Sequence, residues 1–165
     1  MSSMGEQMGS SPFSPSSCLT YNKSISTLQS EGWVVSQDGT YVLAPEHDAA
    51  QVQWGGGWRM PTEAELSALI SNCTIAWTTQ NGVYGRLVTG KGTYADRSIF
   101  LPAAGNGFDS SLRYPGSVGN YGSSTPYSDD SSYSWGLYVG SSEFYRGYGG
   151  RFFGESVRPV RGFAK

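Results

Sequence analysis

No helical spacing of apolar residues is found after Cys73, and this absence restricts the fold of the chain more than any other feature. Short β-prone runs are found instead, at residues 75–79, 85–89 and 98–101. Residues 133–139 alternate Tyr, Trp, Leu and Val with small or polar side chains, as expected for a strand buried on one face. More than half of the chain is therefore predicted to be strand and loop.

Two patterns predict local structure before Cys73. Asp38-Gly39 separates the β-prone runs 33–35 and 41–43, and Asp-Gly there predicts a hairpin because Gly accepts positive φ without steric cost. Residues 45–52 are predicted as a short helix, since Pro45 stands in the first turn and acidic residues lie near its positive end.

The clearest helix is predicted to begin at Thr62. Thr62 and Glu65 have the spacing of a capping box, in which each side chain accepts a hydrogen bond from the other residue's backbone N–H. One face of this helix is apolar, and its end is predicted near Asn72. The residues on that face are Leu66, Leu69 and Ile70.

Residues 105–132 are predicted as ordered loops, because they lack a periodic pattern yet are rich in aromatic residues. Residues 155–161 are predicted as a final strand, which Pro159 restricts to a sheet edge. The predicted fold class is α+β, with two helices packed on a twisted antiparallel sheet and long irregular loops. The predicted domain spans residues 18–165, after a flexible leader or expression remnant at 1–17.

Composition excludes several classes of function. The 165 residues suit one domain and include 11 Lys and Arg against 13 Asp and Glu, so the basic surplus expected of a nucleic-acid-binding protein is missing. No apolar stretch approaches the ~18 residues of a membrane-spanning helix, so no membrane insertion is expected. Residues 1–17 lack the layout of a secretion signal.

The chain offers little for catalysis. His47 is the only histidine and is predicted to be a solvated surface residue, and no G-x-S-x-G sequence is present. Asp129 and Asp130 form an acidic pair without an EF-hand pattern, so no metal or cofactor is expected. Cys18 and Cys73 either form one bridge or are two thiols. No enzymatic activity is predicted.

Residues 105–153 have the composition of a binding surface. Tyr, Ser, Gly and Asp dominate, as in antibody loops, although such stretches can also be linkers. The alternation at 133–139 places Ser134, Gly136 and Tyr138 outward. Residues 143–148 contain too many large side chains for all to be buried, so an exposed aromatic cluster is predicted there.

Four segments follow one another in the order GWRMPTEAE at 57–65, IFLPAAG at 99–105, SST at 123–125 and GESVRPVR at 154–161. Together they resemble the Fibrobacter-type major paralogous domain, a family found in gut Bacteroides proteins and their phages, and the resemblance covers residues 41–161. That family is similar to the C-type lectin fold, which includes the variable proteins of diversity-generating retroelements. The chain departs from the family at Gly122, where many members have Trp in a Tyr-Trp-Ser-Ser segment.

The resemblance implies a variable region at about 105–153, whose codons a reverse-transcriptase system diversifies and whose side chains bind a protein or glycan ligand at a cell or virion surface. The implied contact residues are Asn106, Phe108, Arg113, Tyr114, Asn120, Gly122, Asp129, Asp130, Ser134, Gly136, Tyr138, Phe144, Tyr145, Arg146, Tyr148 and Phe152. The calcium-binding tripeptides of sugar-binding lectins and the catalytic cysteine pair of formylglycine-generating enzymes have no counterpart. A structural or display module without a small ligand is the alternative, and the oligomeric state is left open.

Overall fold

A computed structural model describes residues 12–162 and has an α+β architecture with mostly antiparallel strands. Its helices are α1 (Ile25–Ser30), α2 (Ala49–Trp54) and α3 (Glu63–Asn72). Its strands are β1 (Val34–Gln37), β2 (Thr40–Leu43), β3 (Trp58–Arg59), β4 (Cys73–Gln80), β5 (Val83–Gly90), β6 (Ser98–Pro102), β7 (Asn106–Phe108), β8 (Ser111–Arg113), β9 (Val118–Pro126), β10 (Tyr133–Gly140), β11 (Phe144–Gly150) and β12 (Val160–Arg161).

Two three-stranded antiparallel sheets form the frame. One has the order β4-β5-β6 and the other the order β11-β10-β9, and β1-β2, β3-β12 and β7-β8 are two-stranded pairs. Ser156 adds to the free side of β9, where its carbonyl accepts from Gly122 N (3.0 Å) and its N–H donates to Asn120 O (2.8 Å). The strand predictions at 75–79, 85–89 and 98–101 are confirmed.

The β1-β2 connection is the predicted hairpin. Asp38 and Gly39 both have positive φ, 48° and 82°, which is the combination that a type I′ turn requires. The register pairs Gln37 with Thr40, so the turn has two residues. The prediction from Asp-Gly is confirmed.

The helix predictions have mixed outcomes. For α3 the prediction is confirmed, because Thr62 and Glu65 form the capping box and the helix ends at Asn72. The prediction for residues 45–52 is wrong at its start: Asp48 is the N-cap, its carboxylate accepts from Ala50 N and Gln51 N, and helix α2 follows it. Helix α1, which Ser24 caps, was missed.

The capping box of α3 is linked to a partly buried ion pair. Arg59 forms a bidentate contact with the Glu65 carboxylate at 2.6 and 2.7 Å, and Thr62 N donates to the same carboxylate at 2.9 Å. Hydrogen bonds from Arg59 lower the pKa of Glu65 from 4.5, against the effect of burial. The carboxylate form therefore stabilises the folded state.

We expect Glu65→Gln to lower the free energy of unfolding by about 1 kcal/mol at pH 7, since it weakens both the cap and the ion pair. A lowered folded-state pKa means that the stabilisation is complete above the ordinary pKa and is lost as the pH falls through the lowered value. In urea titrations at several pH values, the difference between the two proteins should therefore shrink below about pH 4.5. A difference that does not change with pH would contradict this.

The apolar core consists of two clusters. The first joins α1, the β1-β2 hairpin and α2, and its buried members are Leu28, Val34, Leu43, Ala50 and Met60. The second lies between α3 and the two three-stranded sheets, and its buried members are Leu66, Val88, Leu101, Tyr121, Leu137 and Val139. Leu69 and Ile70 pack against the second cluster, as the apolar face of α3 predicted.

Strands β7, β8 and β9 lie within the segment predicted as loops, so that prediction is wrong for residues 106–108, 111–113 and 118–126. Gly119 and residues 121–126 are buried, and most of these residues are Gly, Ser or Thr. A Cβ at Gly119 would lie 2.6 Å from the Pro102 carbonyl oxygen, so the close approach of β9 to β6 needs glycine. Small residues here are a packing requirement and do not mark a loop.

The N-terminal boundary predicted at residue 18 also needs correction. Phe13 exchanges backbone hydrogen bonds with Asp109 at 3.2 and 2.7 Å, and its ring occupies the space that a Cβ at Gly107 or Gly154 would need. Residues 12–17 are thus part of the packed domain. The rest of the predicted leader, residues 1–11, lies outside the described residues.

Three further expectations concern the final strand, the two cysteines and a membrane-spanning helix. The predicted final strand is reduced to β12, which pairs with β3, and a bridge at Ser156. Cys18 and Cys73 are not bridged, so of the two alternatives the structure has two separate thiol side chains. Within residues 12–162, no helix has the length and apolar character needed to cross a bilayer.

Candidate functional site

The hairpin of β10 and β11 presents large aromatic residues on both of its faces. Its register places Trp135 opposite Tyr148, Leu137 opposite Arg146, and Tyr138 opposite Tyr145. Because side chains alternate along a strand, the first two pairs share the face towards α3, and the third lies on the opposite face. We define the aromatic hairpin surface as the large side chains of both faces that are exposed or half-buried, together with Tyr127, which precedes β10. Its members are Tyr127, Trp135, Tyr138, Tyr145, Arg146 and Tyr148.

On the α3 side, the rings hold one another in place. Tyr148 stacks on Tyr127 with ring centroids 4.4 Å apart and an interplanar angle of 14°. Trp135 meets the Tyr127 ring edge-on at 4.9 Å. Tyr148 is nevertheless 55% exposed, so this cluster offers solvent a ring whose orientation is fixed by its neighbours.

Arg146 connects this cluster to helix α3. Its guanidinium lies 4.3 Å from the centroid of the Trp135 ring, within the range of a cation–π interaction. The same group forms an ion pair with Glu63 in the first turn of α3 and a 3.4 Å contact with the hydroxyl of Ser67. The helix therefore positions the only cation of the aromatic hairpin surface.

On the opposite face, Tyr138 and Tyr145 stack with centroids 5.0 Å apart and an angle of 22°. Tyr145 is 46% exposed, and its pKa is raised by desolvation, by the charge of Glu143 and by Tyr138. Asn120 of β9 lies beside Tyr138 in the register. These side chains form a polar, aromatic row across the three strands.

A second row on this face consists of glycines. Gly122, Gly136 and Gly147 stand opposite one another on β9, β10 and β11. The carboxylate of Glu155 lies over the sheet here, since a Cβ at Gly149 would be 2.8 Å from its Oε1 and a Cβ at Gly136 would be 3.6 Å from its Oε2. A cavity of about 70 Å³ is lined by Glu155, by the two tyrosines and by these glycines of β10 and β11.

Five implied contact residues gather around this cavity, while others on the same hairpin do not face solvent. Asn120, Gly136, Tyr138, Tyr145 and Tyr148 line it, and Arg146 lies on the α3 side. Phe144 packs against the second core cluster. The prediction of an exposed aromatic cluster in residues 143–148 is confirmed for Tyr145 and Tyr148.

The predicted outward orientation is wrong for Ser134 and Gly136. Ser134 is only 1% exposed, and Gly136 and Gly122 are buried. The strand is covered on both faces, because Glu155 lies over Gly136 and over Gly149, the register partner of Ser134. Ser134 and Gly122 therefore cannot contact a ligand at the surface, and Gly136 can do so only through the cavity.

The remaining implied contacts lie away from the hairpin. Asn106, Phe108, Arg113 and Tyr114 belong to the β7-β8 hairpin or follow it, with the Arg113 guanidinium 3.7 Å above the Phe108 ring. Phe152 packs edge-on against Phe108 at 5.9 Å. The structure thus divides the implied contacts between two surfaces.

Asp129 and Asp130 are exposed in the turn before β10. Asp130 Oδ1 accepts from Ser132 N at 2.8 Å, and Asp129 Oδ1 accepts from the Ser128 hydroxyl at 2.9 Å, so both carboxylates serve the turn. Among residues 12–162, no group of three or more His, Cys, Asp or Glu residues could hold a metal ion.

His47 differs from its prediction as a solvated residue. Its ring lies 4.1 Å from that of Trp33 and is half-buried beside the first core cluster. The adjacent Asp48 is buried and accepts hydrogen bonds from Ala50 N, Gln51 N and Met60 N. These two side chains are engaged in packing and in holding α2 against β3.

Sequence reasoning missed several residues of the site. Tyr127 was predicted to lie in a loop, and Trp135 was predicted to point into the interior. Gly147, Gly149 and Glu155 were not predicted as site residues. The alternate glycines at 147 and 149 are a signal in the sequence, since two glycines on one face of a strand predict close approach by another group. Nothing local to Glu155 indicates its position over β10.

Further cavities are found among the described residues. A cleft of about 470 Å³ lies between Phe13, Trp54 and Leu112, and the buried Asn106 Oδ1 beside it has no hydrogen-bond partner. A cavity of about 220 Å³ lies between α3, β6 and the segment at Arg158. Tyr121 borders this second cavity, and burial raises its pKa to about 12 while its hydroxyl donates to Pro102 O at 2.7 Å.

The architecture and the site define the molecule as an α+β domain of mainly antiparallel strands that exposes tyrosine-rich faces on one hairpin. The chain matches no family model, no curated protein sequence and no solved structure.

Proposed function

We propose that this protein is a non-catalytic binding protein whose aromatic hairpin surface contacts its ligand. The observation that carries the proposal is the exposure of Tyr145 and Tyr148 while both rings are stacked on neighbouring aromatic rings. Exposed aromatic clusters mark interaction sites, and tyrosine supplies a large contact area with little loss of side-chain entropy.

The stacking contacts favour binding by an ordered surface. Tyr148 is held between Tyr127, Tyr133 and Trp135, and Tyr145 is held on Tyr138. Rings fixed before the ligand arrives lose little rotamer freedom on binding, so more of the contact energy contributes to affinity. The ligand proposed is a protein or glycan at a cell or virion surface.

The finer identity is also a proposal: a C-type lectin fold of the retroelement variable-protein type, with residues 105–153 diversified. Support comes from the family-like segments at 57–65 and 154–161, which the β3-β12 pair brings together. Further support is that the hairpin exposes side chains which could vary without disturbing the core. An adjacent reverse-transcriptase gene and a near-repeat of the coding region for 105–161 are expected.

The binding proposal is tested by replacing Tyr145 and Tyr148 together with Ala. We expect ligands selected from a random peptide library and a glycan array by the unaltered protein to lose at least about tenfold in affinity, as for central aromatic residues of an interface. The melting temperature should stay close to that of the unaltered protein, because both side chains are exposed.

Tyr94→Ala is the matched control, since Tyr94 is 60% exposed but lies in the connection between β5 and β6 of the other three-stranded sheet. It should leave the affinity for the selected ligands unchanged. Retained binding by the double variant, or equal losses in both variants, would contradict the proposal. A library and an array that yield no ligand at all would favour the structural or display module.

A further inference from the structure

We propose that the cavity beside Glu155 binds the ammonium group of a lysine side chain on the ligand. The inference rests on the proposed function, since it assigns a chemical group to that ligand. The cavity is lined by Tyr138 and Tyr145, whose rings stack on each other, by the buried residue Glu155 and by Asn120.

The walls of the cavity have the chemistry that an alkylammonium ion requires. The negative faces of aromatic rings attract cations, and a carboxylate accepts strong, charge-assisted hydrogen bonds from an ammonium group. Asn120 adds an amide that can supply a further acceptor. The carboxylate of Glu143 acts near Tyr145 and contributes to its raised pKa, which indicates a negative potential on this face.

The floor of the cavity consists of backbone, which leaves room for a narrow group. Gly136, Gly147 and Gly149 lack side chains, and a Cβ at Gly147 would lie 2.9 Å from the Tyr145 ring. With about 70 Å³ available, the cavity accepts the end of an extended chain and excludes a sugar ring. A lysine side chain has this shape, and its apolar stem can lie along the exposed Tyr145 ring.

The test uses the full chain, labelled with ¹⁵N, and titrates it with Nα-acetyl-lysine methylamide. We expect saturable shifts of the amide signals of Gly136, Gly147 and Gly149. The norleucine analogue, which has the same shape without the ammonium group, should cause no saturable shift. Equal binding of both compounds, or no binding of the lysine compound, would overturn the inference.

Variants of the residues that line the cavity then test their contribution to binding. Glu155→Gln should lower the affinity for the lysine compound at least about tenfold, because the charge-assisted hydrogen bond is lost. Glu143→Gln is the matched control, since Glu143 is exposed outside the cavity, and it should have a smaller effect. Because Glu155 is buried and its replacement could disturb the fold, Gly147→Ala provides a second test. Its methyl group meets only the ring of Tyr145 and no backbone atom, so it narrows the cavity, and it too should weaken binding.

Choline tests whether the cavity prefers the primary ammonium group of lysine or a quaternary ammonium group. Its trimethylammonium group is too wide for the cavity, so it should bind more weakly than the lysine compound, and tighter binding would overturn the assignment to lysine. If the lysine compound fails to bind while the Tyr145 and Tyr148 replacement still abolishes ligand capture, this inference fails and the proposed function stands. If the compound binds while capture is unaffected by that replacement, the proposed function fails and the cation site stands.

Discussion

Gly105→Ala should destabilise the domain by about 3 kcal/mol or more, because it combines backbone strain with a clash. Gly105 has φ of +79°, in the left-handed region, and its N–H donates to Val118 O at 2.6 Å. A Cβ there would overlap the carbonyl oxygen of Arg113 and lie 3.1 Å from Pro115 N, and neither backbone atom can move away freely. Gly105 and the segment 113–115 at the end of the β7-β8 hairpin would therefore have to move apart.

Gly116→Ala is the matched control for this prediction. Gly116 also has φ of +79°, but a Cβ there would meet nothing within 4 Å, so only the left-handed strain of about 1 kcal/mol remains. Urea unfolding measures both values, provided that the slope with denaturant is unchanged. Equal losses in the two variants would contradict the tight packing at Gly105.

Arg151→Met should also lower the free energy of unfolding by about 3 kcal/mol or more, since it leaves one buried and two partly buried carbonyls without their donor. Arg151 is 0% exposed and donates to Tyr133 O at 2.9 Å, Thr20 O at 2.9 Å and Lys23 O at 2.8 Å. Burial lowers its pKa to about 10, so the guanidinium remains charged at pH 7. It thereby links the N-terminal segment to the start of β10.

Arg97→Met provides the comparison for this second prediction. Arg97 is exposed and only approaches the Tyr94 ring, at 5.8 Å, so its replacement should change the stability by about 0.5 kcal/mol or less. Thermal melting and urea unfolding check both variants. A loss below about 1 kcal/mol for Arg151→Met would mean that the link to residues 20–23 contributes little.

Local signals in the sequence predicted those elements whose causes lie within a few residues. The capping box at Thr62 and the Asp38-Gly39 turn are fixed by side chains and backbone angles of their own segments, and both predictions are confirmed. The predicted start of α2 was wrong because Pro45 and Asp48 are both residues that suit a helix N-terminus. Only Asp48, which also accepts from Met60 N, is held by a distant element.

Predictions failed where burial depends on segments far apart in sequence. The small residues of β9 resemble a loop, yet they are needed because β9 packs closely on Pro102. The alternation in β10 correctly placed Trp135 and Leu137 on one face. It could not show that the other face is covered by Glu155, which follows β11 and reaches back across the sheet.

The residue types of the candidate site were predicted better than the positions of those residues in the fold. Tyr145 and Tyr148 could be recognised because adjacent large residues on one strand cannot all be buried. The division of the implied contacts between the β10-β11 and β7-β8 hairpins could not be inferred, since it depends on the sheet order β11-β10-β9. The cavity at Glu155 likewise exists only once these strands are paired.

The most direct test of the account is to map the contact surface of a ligand that the unaltered protein has selected. Amide signals of the ¹⁵N-labelled protein would be followed as this ligand is added. If the aromatic hairpin surface contacts the ligand, the shifts should concentrate on residues 133–150 and on Asn120 and Tyr127. Shifts confined to the cleft between Phe13, Trp54 and Leu112, with the hairpin signals unmoved, would contradict it.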